Sequence, residues 1–253
     1  MSKIVVIDPG HGLPDPGACG NGLQEHERVL VLAQLVGKVL TRHGVQVFFT
    51  RNGERSLSSA KELKQNKSED LTARRRFSDS RATDFFLSLH MNAGDPSANG
   101  YETLCYSQNG QIQALHTAVT AFLRQHGIKD RGIKVRQDLA VLKVKAKAAL
   151  LECLFITNAR EAALMKDAAF LNGLAEAIGQ GVLAAIGVAY VPVKKPTPTI
   201  QKEELKMKRE DAEKVIVYLQ AAWKAATCED EKKEIGRLAD EVRAAAGMKK
   251  VNS

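Results

Sequence analysis

The chain has 253 residues, 44% hydrophobic and 26% charged, with 37 Lys and Arg against 29 Asp and Glu for a formal charge of +8. This composition excludes wholesale disorder and a fibrous chain, and at roughly 150 residues per domain the length suggests one sizeable core plus something smaller. Uninterrupted apolar runs stop well short of the ~18 residues that cross a bilayer, so no membrane insertion is expected.

Ile4 to Ile7 is a short β-branched run ended by Asp8-Pro9-Gly10, which predicts a buried strand. It is too short for a secretory signal, which needs ~7–15 apolar residues and a cleavage site, so synthesis in the cytoplasm is expected. Apolar residues from Val29 to Leu40 recur at three- and four-residue steps and predict an amphipathic helix over 26–42, stopped at Gly44. Val45 to Thr50 alternates as a strand, and residues 52–68 are polar and read as a surface loop. A helix over 71–81 leads into a strand at 85–90, then a loop over 92–99 rich in Gly, Pro, Ser and Asn. A strand at 102–106, a helix at 112–125 and a loop at 127–138 follow. A short strand at 141–144, a stronger one at 149–156 and helices at 159–166 and 168–187 complete the series. Such alternation predicts an α/β domain over 1–190, a mostly parallel sheet flanked by helices on both faces.

At Tyr190 the texture changes. Three prolines within Val191 to Thr199 suit an extended linker over 191–203. Over 204–253, Leu205, Ala212, Ile216, Leu219 and Trp223 share one helical face. Thr227-Cys228-Glu229-Asp230 resembles a capping box opening a second helix, with Gly247 as its stop. A small C-terminal helical hairpin of this size buries little surface alone, so it is expected to dock, dimerise or bind a target.

The four cysteines, Cys19, Cys105, Cys153 and Cys228, are widely spaced, which argues against a thiolate metal site or a disulfide framework. The basic surplus is modest, Arg74-Arg75-Arg76 reads as a solvated helix face, and no basic segment is interleaved with aromatics. No nucleic acid partner is expected.

Two histidines occupy equivalent places. His11 lies between two glycines just past the first strand, and His90 ends the strand at 85–90. Ligands of open parallel sheets bind at such strand ends, and neutral imidazole is a common zinc ligand. A catalytic zinc site usually adds a carboxylate; Glu25 and Glu27 both open the first long helix, and spacing alone does not choose between them. Glu152 stands in the apolar run Ala148 to Ile156, where burial raises its pKa unless a cation is near, as suits a general base. Pairing with an Arg or Lys is the alternative. Two His and two separate Glu suggest zinc-assisted hydrolysis.

These segments resemble the zinc-dependent type-3 N-acetylmuramoyl-L-alanine amidases, which cut peptidoglycan. The similarity is carried by Ile4-Val-Val-Ile-Asp-Pro-Gly-His-Gly, Asp15-Pro-Gly-Ala, Gly22-Leu-Gln-Glu25, Thr50-Arg51 and Leu71-x-x-Arg74. It continues through Asp84 to Ala93, Gly100-Tyr-Glu-Thr, Arg131-Gly-Ile-Lys, Val141-Leu and Leu151-Glu-Cys-Leu-Phe-Ile-Thr-Asn158. The resemblance implies one zinc ion held by His11, Glu25 and His90, with Glu152 as the catalytic carboxylate. Cys153 stands where the family usually has Gly, and His26 where it usually has Lys. Asn92 and Arg131 are expected to border the substrate groove. The bond cut would join the lactyl group of N-acetylmuramic acid to L-alanine. Alternatives are a zinc carboxypeptidase-like enzyme cutting within the stem peptide, or a non-catalytic wall-binding protein. The hairpin is read as a cell-wall-binding module for anionic wall polymers, or as a homodimerisation module. Without a signal peptide, such an enzyme would reach the wall through lysis, a pore or a dedicated exporter, as a phage endolysin or a bacterial autolysin does.

Overall fold

In the computed structural model, which describes residues 2–192, 207–249 and 251, the β-branched N-terminal run forms strand β1 (Ile4–Pro9). Then come a two-strand ribbon, β2 (Cys19–Gly20) and β3 (Leu23–Gln24), helix α1 (Glu25–Thr41) and strand β4 (Gln46–Phe49). Helix α2 (Leu63–Asp79), strands β5 (Phe85–Asn92) and β6 (Tyr101–Cys105), helix α3 (Gly110–Gln125) and strand β7 (Asp130–Val135) follow. A 3-10 turn at Ala140–Leu142, strand β8 (Lys147–Phe155) and helices α4 (Ala159–Lys166) and α5 (Ala168–Ala185) end this first unit, residues 1–191.

Six strands make one sheet in the order β4-β1-β5-β8-β6-β7. The first four are parallel, β6 runs antiparallel to β8, and β7 is parallel to β6. Alternation along each strand sorts side chains onto two faces. Ile7, Leu87, Leu89 and Leu151 meet α1, α3 and α5 in the larger core. Val6, Phe86, Leu104 and Leu150 meet Phe77 of α2 and Val141 and Leu142 of the 3-10 turn in a smaller one. Among the described helices, α5 alone is long and apolar enough to cross a membrane, but 61% of that stretch is buried within the unit. It is a core helix, packed on α1 and α3.

The structure departs from expectation at several elements. Helix α2 begins inside the expected loop of 52–68. Its buried residues, Asn66, Asp70, Arg74 and Ser78, recur at steps of four but are all polar, so no apolar period marks it. Glu62 caps it, accepting the backbone N–H groups of Lys64 and Gln65. The loop expected over 127–138 contains β7, an edge strand without a buried side chain. The short strand expected at 141–144 is the 3-10 turn, and the β2–β3 ribbon has no counterpart in the expectations.

Arg74 is no solvated residue. It is 2% exposed, and its guanidinium binds Asp8 (2.7 Å) and Asp70 (2.7 Å). Asp8 also accepts from Thr50 (2.6 Å) and Ser88 (2.7 Å). Burial opposes the charge of Asp8, but Arg74 and the two hydroxyls hold its carboxyl below the usual range.

In the second unit, residues 192–253, α6 (Arg209–Ala225) packs on α7 (Glu229–Ala245) through Ala212, Ile216 and Ala239, beside an Arg243–Asp240 pair at 2.8 Å. The cap of α7 is Cys228 rather than Thr227: its sulfur accepts the Glu231 N–H at 3.4 Å. Gly247 takes a φ of +68° at the stop. The expected linker, from residue 193 onward, lies outside the described residues.

Removing one member of a buried ion pair leaves a charge uncompensated. Arg74→Leu should therefore lower unfolding free energy by about 3–5 kcal/mol, measured by urea denaturation. The contribution of Asp8 is fully present above its ordinary pKa of 3.8 and is lost as pH falls through its lowered value. The gap between the parent and Asp8→Asn should accordingly narrow in acid.

Candidate active site

The site lies at the C-terminal ends of β1, β5 and β8, where parallel sheets present ligands. His11 follows β1 with a φ of +59°, a conformation that side-chain-bearing residues avoid unless they are held. Two buried arginines hold it. Arg74 donates to the carbonyls of Pro9 (2.7 Å) and His11, and Arg51 to those of Pro9 (3.0 Å), Gly10 (2.7 Å) and His26 (2.8 Å).

Glu25 is the first residue of α1 and is 3% exposed, whereas Glu27 points to solvent. The carboxylate of Glu25 accepts the backbone N–H groups of Ala18 (2.8 Å) and Met91 (3.0 Å), which fix its orientation. Each oxygen also meets an imidazole: Oε2 lies 3.0 Å from His11 Nε2, and Oε1 lies 2.9 Å from His90 Nδ1. Burial opposes this charge too, yet the two histidines hold the Glu25 carboxyl well below the usual range. Ligand atoms of His11, Glu25 and His90 all fall within 4.8 Å of one another, a cluster able to hold a metal ion. The far nitrogen of His11, Nδ1, is 2.9 Å from Asp15, which sets its ring orientation.

Two glycines make room. A Cβ on Gly10 would lie 2.3 Å from the His90 ring, and one on Gly17 would lie 2.5 Å from Glu25 Oε2.

Glu152 pairs in register with His90 across β5–β8 and with Glu102 across β8–β6. Its Oε2 is buried without a hydrogen-bond partner. Burial pushes its carboxyl up to about 7, against the attraction of His90. Asn92 and Arg131 meet on Glu102: Asn92 Nδ2 donates to one oxygen (3.1 Å) and Arg131 Nε to the other (3.0 Å). His26 is set apart, its ring 3.4 Å from the Pro16 carbonyl, and Cys153 is buried on the face opposite Glu152.

Sequence reasoning missed three members of this constellation. Asp15 carries no periodic signal, and Arg74 sits in a basic triplet that reads as surface. Glu102 was legible: a carboxylate in the apolar strand Tyr101–Cys105 repeats the anomaly that marks Glu152.

Two imidazoles and a carboxylate converging at the C-terminal ends of the central strands, beside a half-buried carboxylate with one buried, unpartnered oxygen, define an α/β protein with a candidate metal centre. The profile of the Amidase_3 family, described as N-acetylmuramoyl-L-alanine amidase, matches residues 5–184, and the chain belongs to this family. It is similar to the endolysin of Bacillus phage SPP1, 35% identical over 240 residues that cover 89% of this chain and 83% of the endolysin. It is also similar to the N-acetylmuramoyl-L-alanine amidase LytC of Bacillus subtilis, 32% identical over 73% of this chain and 36% of LytC. Among solved structures, the catalytic domain of the amidase CwlV from Bacillus (Paenibacillus) polymyxa var. colistinus is 27% identical with a TM-score of 0.65, covering 74% of this chain and 99% of that one. The CwlD amidase of Clostridioides difficile, in complex with the GerS lipoprotein, is 25% identical with a TM-score of 0.68 at the same coverage. The endolysin match covers more of the chain than the first unit holds and so reaches into the hairpin. The protein is thus a peptidoglycan hydrolase that cuts the amide bond between N-acetylmuramic acid and L-alanine.

Gly10→Ala should displace the His90 ring and weaken metal binding by about 10–100-fold or more, read by competition with a chromogenic chelator.

Proposed function

We propose that His11, Glu25 and His90 hold one zinc ion per catalytic domain and that Glu152 is the general base and acid of the amidase. The donor set fits this metal. Nitrogen and oxygen ligands about 2.0–2.2 Å from a shared ion sit ~3 Å or more from each other, the range in which Glu25 already meets the two imidazoles. When bound, zinc supplies a Lewis acid that polarises a carbonyl and brings the pKa of a water from 15.7 to about 7.

The buried, unpartnered Oε2 of Glu152, on a residue in register with His90, is the observation that carries the reading. With a pKa near 7, Glu152 accepts a proton from the attacking water and returns it to the departing L-alanine amine. Glu25 keeps its negative charge throughout, supported by two backbone N–H groups. Asp15 holds the His11 ring, so Nε2 faces the metal site. Asn92 and Arg131 line the adjoining groove and contact the substrate, Arg131 through the carboxylates of the stem peptide.

The hairpin is proposed to bind the wall, through anionic polymers, or to pair two copies. Its alignment with a phage endolysin supports an accessory role shared with that protein. The same similarity supports synthesis in the cytoplasm and action on the wall after lysis.

Mass spectrometry of peptidoglycan digested by the chelator-stripped protein, with and without zinc, tests the metal and the bond together. Stem peptides beginning at free L-alanine should appear only with zinc; new ends within the stem would establish the peptidase alternative. Glu152→Gln should retain zinc and lose about 10²–10⁴-fold in turnover. Because the base acts unprotonated, kcat/KM of the parent should rise with pH through about 7.

A further inference from the structure

Glu102 and Glu152 face each other across antiparallel strands, an unfavourable pairing for two carboxylates. Two cations from β7 offset it, and both go to Glu102. Arg131 Nε (3.0 Å) and the Lys134 ammonium share its Oε2, while Asn92 holds Oε1. Glu102 is 7% exposed, while Arg131 and Lys134 reach it from the solvent side, their side chains 31% and 45% exposed. The buried oxygen of Glu152 receives neither cation.

The two cations differ in how they are tethered. Arg131 has other anchors, donating to the Asn99 carbonyl at 3.4 Å and lying over the Phe155 ring at 5.0 Å. Lys134 has Glu102 as its one ion-pair partner among the described residues. Glu102 and Glu152 are direct opposites on neighbouring strands, with Cβ atoms about 4.5–5.5 Å apart, so the carboxylate that holds the Lys134 ammonium stands between it and Glu152. An ion pair at Glu152 would stabilise the charged carboxylate, weaken it as a base and turn it from the metal site.

We propose that Glu102 is a positioning residue that sequesters Lys134 and thereby keeps Glu152 free of an ion pair. The proposal rests on the reading of Glu152 as the base. Glu102 touches neither substrate nor metal in this role; it acts by occupying a cation that would otherwise neutralise its neighbour.

The test compares Glu102→Gln with Glu102→Gln/Lys134→Met in the full-length, zinc-loaded chain, with zinc content measured alongside kcat and KM. Glu102→Gln should keep its zinc and lose about 10-fold or more in kcat, with KM within about 3-fold of the parent. Removing the released ammonium in the double variant should restore most of that loss, which repair of a merely structural defect would not do. Full kcat in Glu102→Gln, or a double variant no faster than the single one, would overturn the proposal. Should Glu102→Gln not fold, Glu102→Ala, which likewise removes the carboxylate, replaces it, and Lys134→Met should again raise its kcat. Failure of the underlying reading is seen separately, as retained activity in Glu152→Gln.

Discussion

Everything at the site depends on a buried ionic clamp. Asp8 lies near the end of β1 inside the sheet, Arg74 crosses from α2 to meet it, and Arg51 enters from the loop after β4. Together the two guanidinium groups take up the carbonyls of Pro9, Gly10, His11 and His26. Backbone carbonyls without partners would be costly at this depth, and a histidine with φ of +59° would relax. The clamp satisfies the first and prevents the second. Two arginines this close disfavour each other: burial, then Arg74, lower Arg51 to about 10, still charged at neutral pH. Asp8 and Asp70 supply the compensating charge.

Above the clamp, the electrostatics of four carboxylates diverge because their surroundings differ. Glu25 has two imidazoles and two backbone N–H groups, so it stays ionised despite burial. Glu102 has two cations and an amide. Asp15 has the His11 ring and Lys67 at 3.1 Å. Glu152 has the attraction of His90 but no hydrogen-bond partner for its buried oxygen, and its proton affinity rises accordingly. Similar side chains thus differ in proton affinity because their partners differ.

The sequence makes the larger core legible because that core is built on periodic apolar residues: Val29, Leu32, Val36 and Leu40 on α1, and the runs in β1, β5 and β8. Both histidines and Glu152 stand out for the opposite reason, as polar residues ending or interrupting such runs. Helix α2 was read short because what it buries is a polar stripe, whose partners lie in β1 and the loops, far along the chain. Strand β7 hid because an edge strand needs no buried side chains, and its Gly132 with φ of +84° reads as a turn. Spacing alone leaves Glu25 and Glu27 open and the family resemblance favours Glu25; in the structure only Glu25 reaches His11 and His90.

Strand order has one more consequence. Because β8 lies between β5 and β6, the segment from Ala93 to Gly100 must arch over the end of β8, beside Glu152. This arch is tied down along its length: Gly94 N–H to Thr157, the Pro96 carbonyl to Asn158, and Gly100 N–H to the buried Glu161. It is a fixed lintel rather than a door. The 200 Å³ hollow between His11, His90, Lys67 and Leu71 opens beside α2 instead. The order of the strands thus sets a backbone held at three points beside Glu152, while the hollow at His11 and His90 lies on the side of α2.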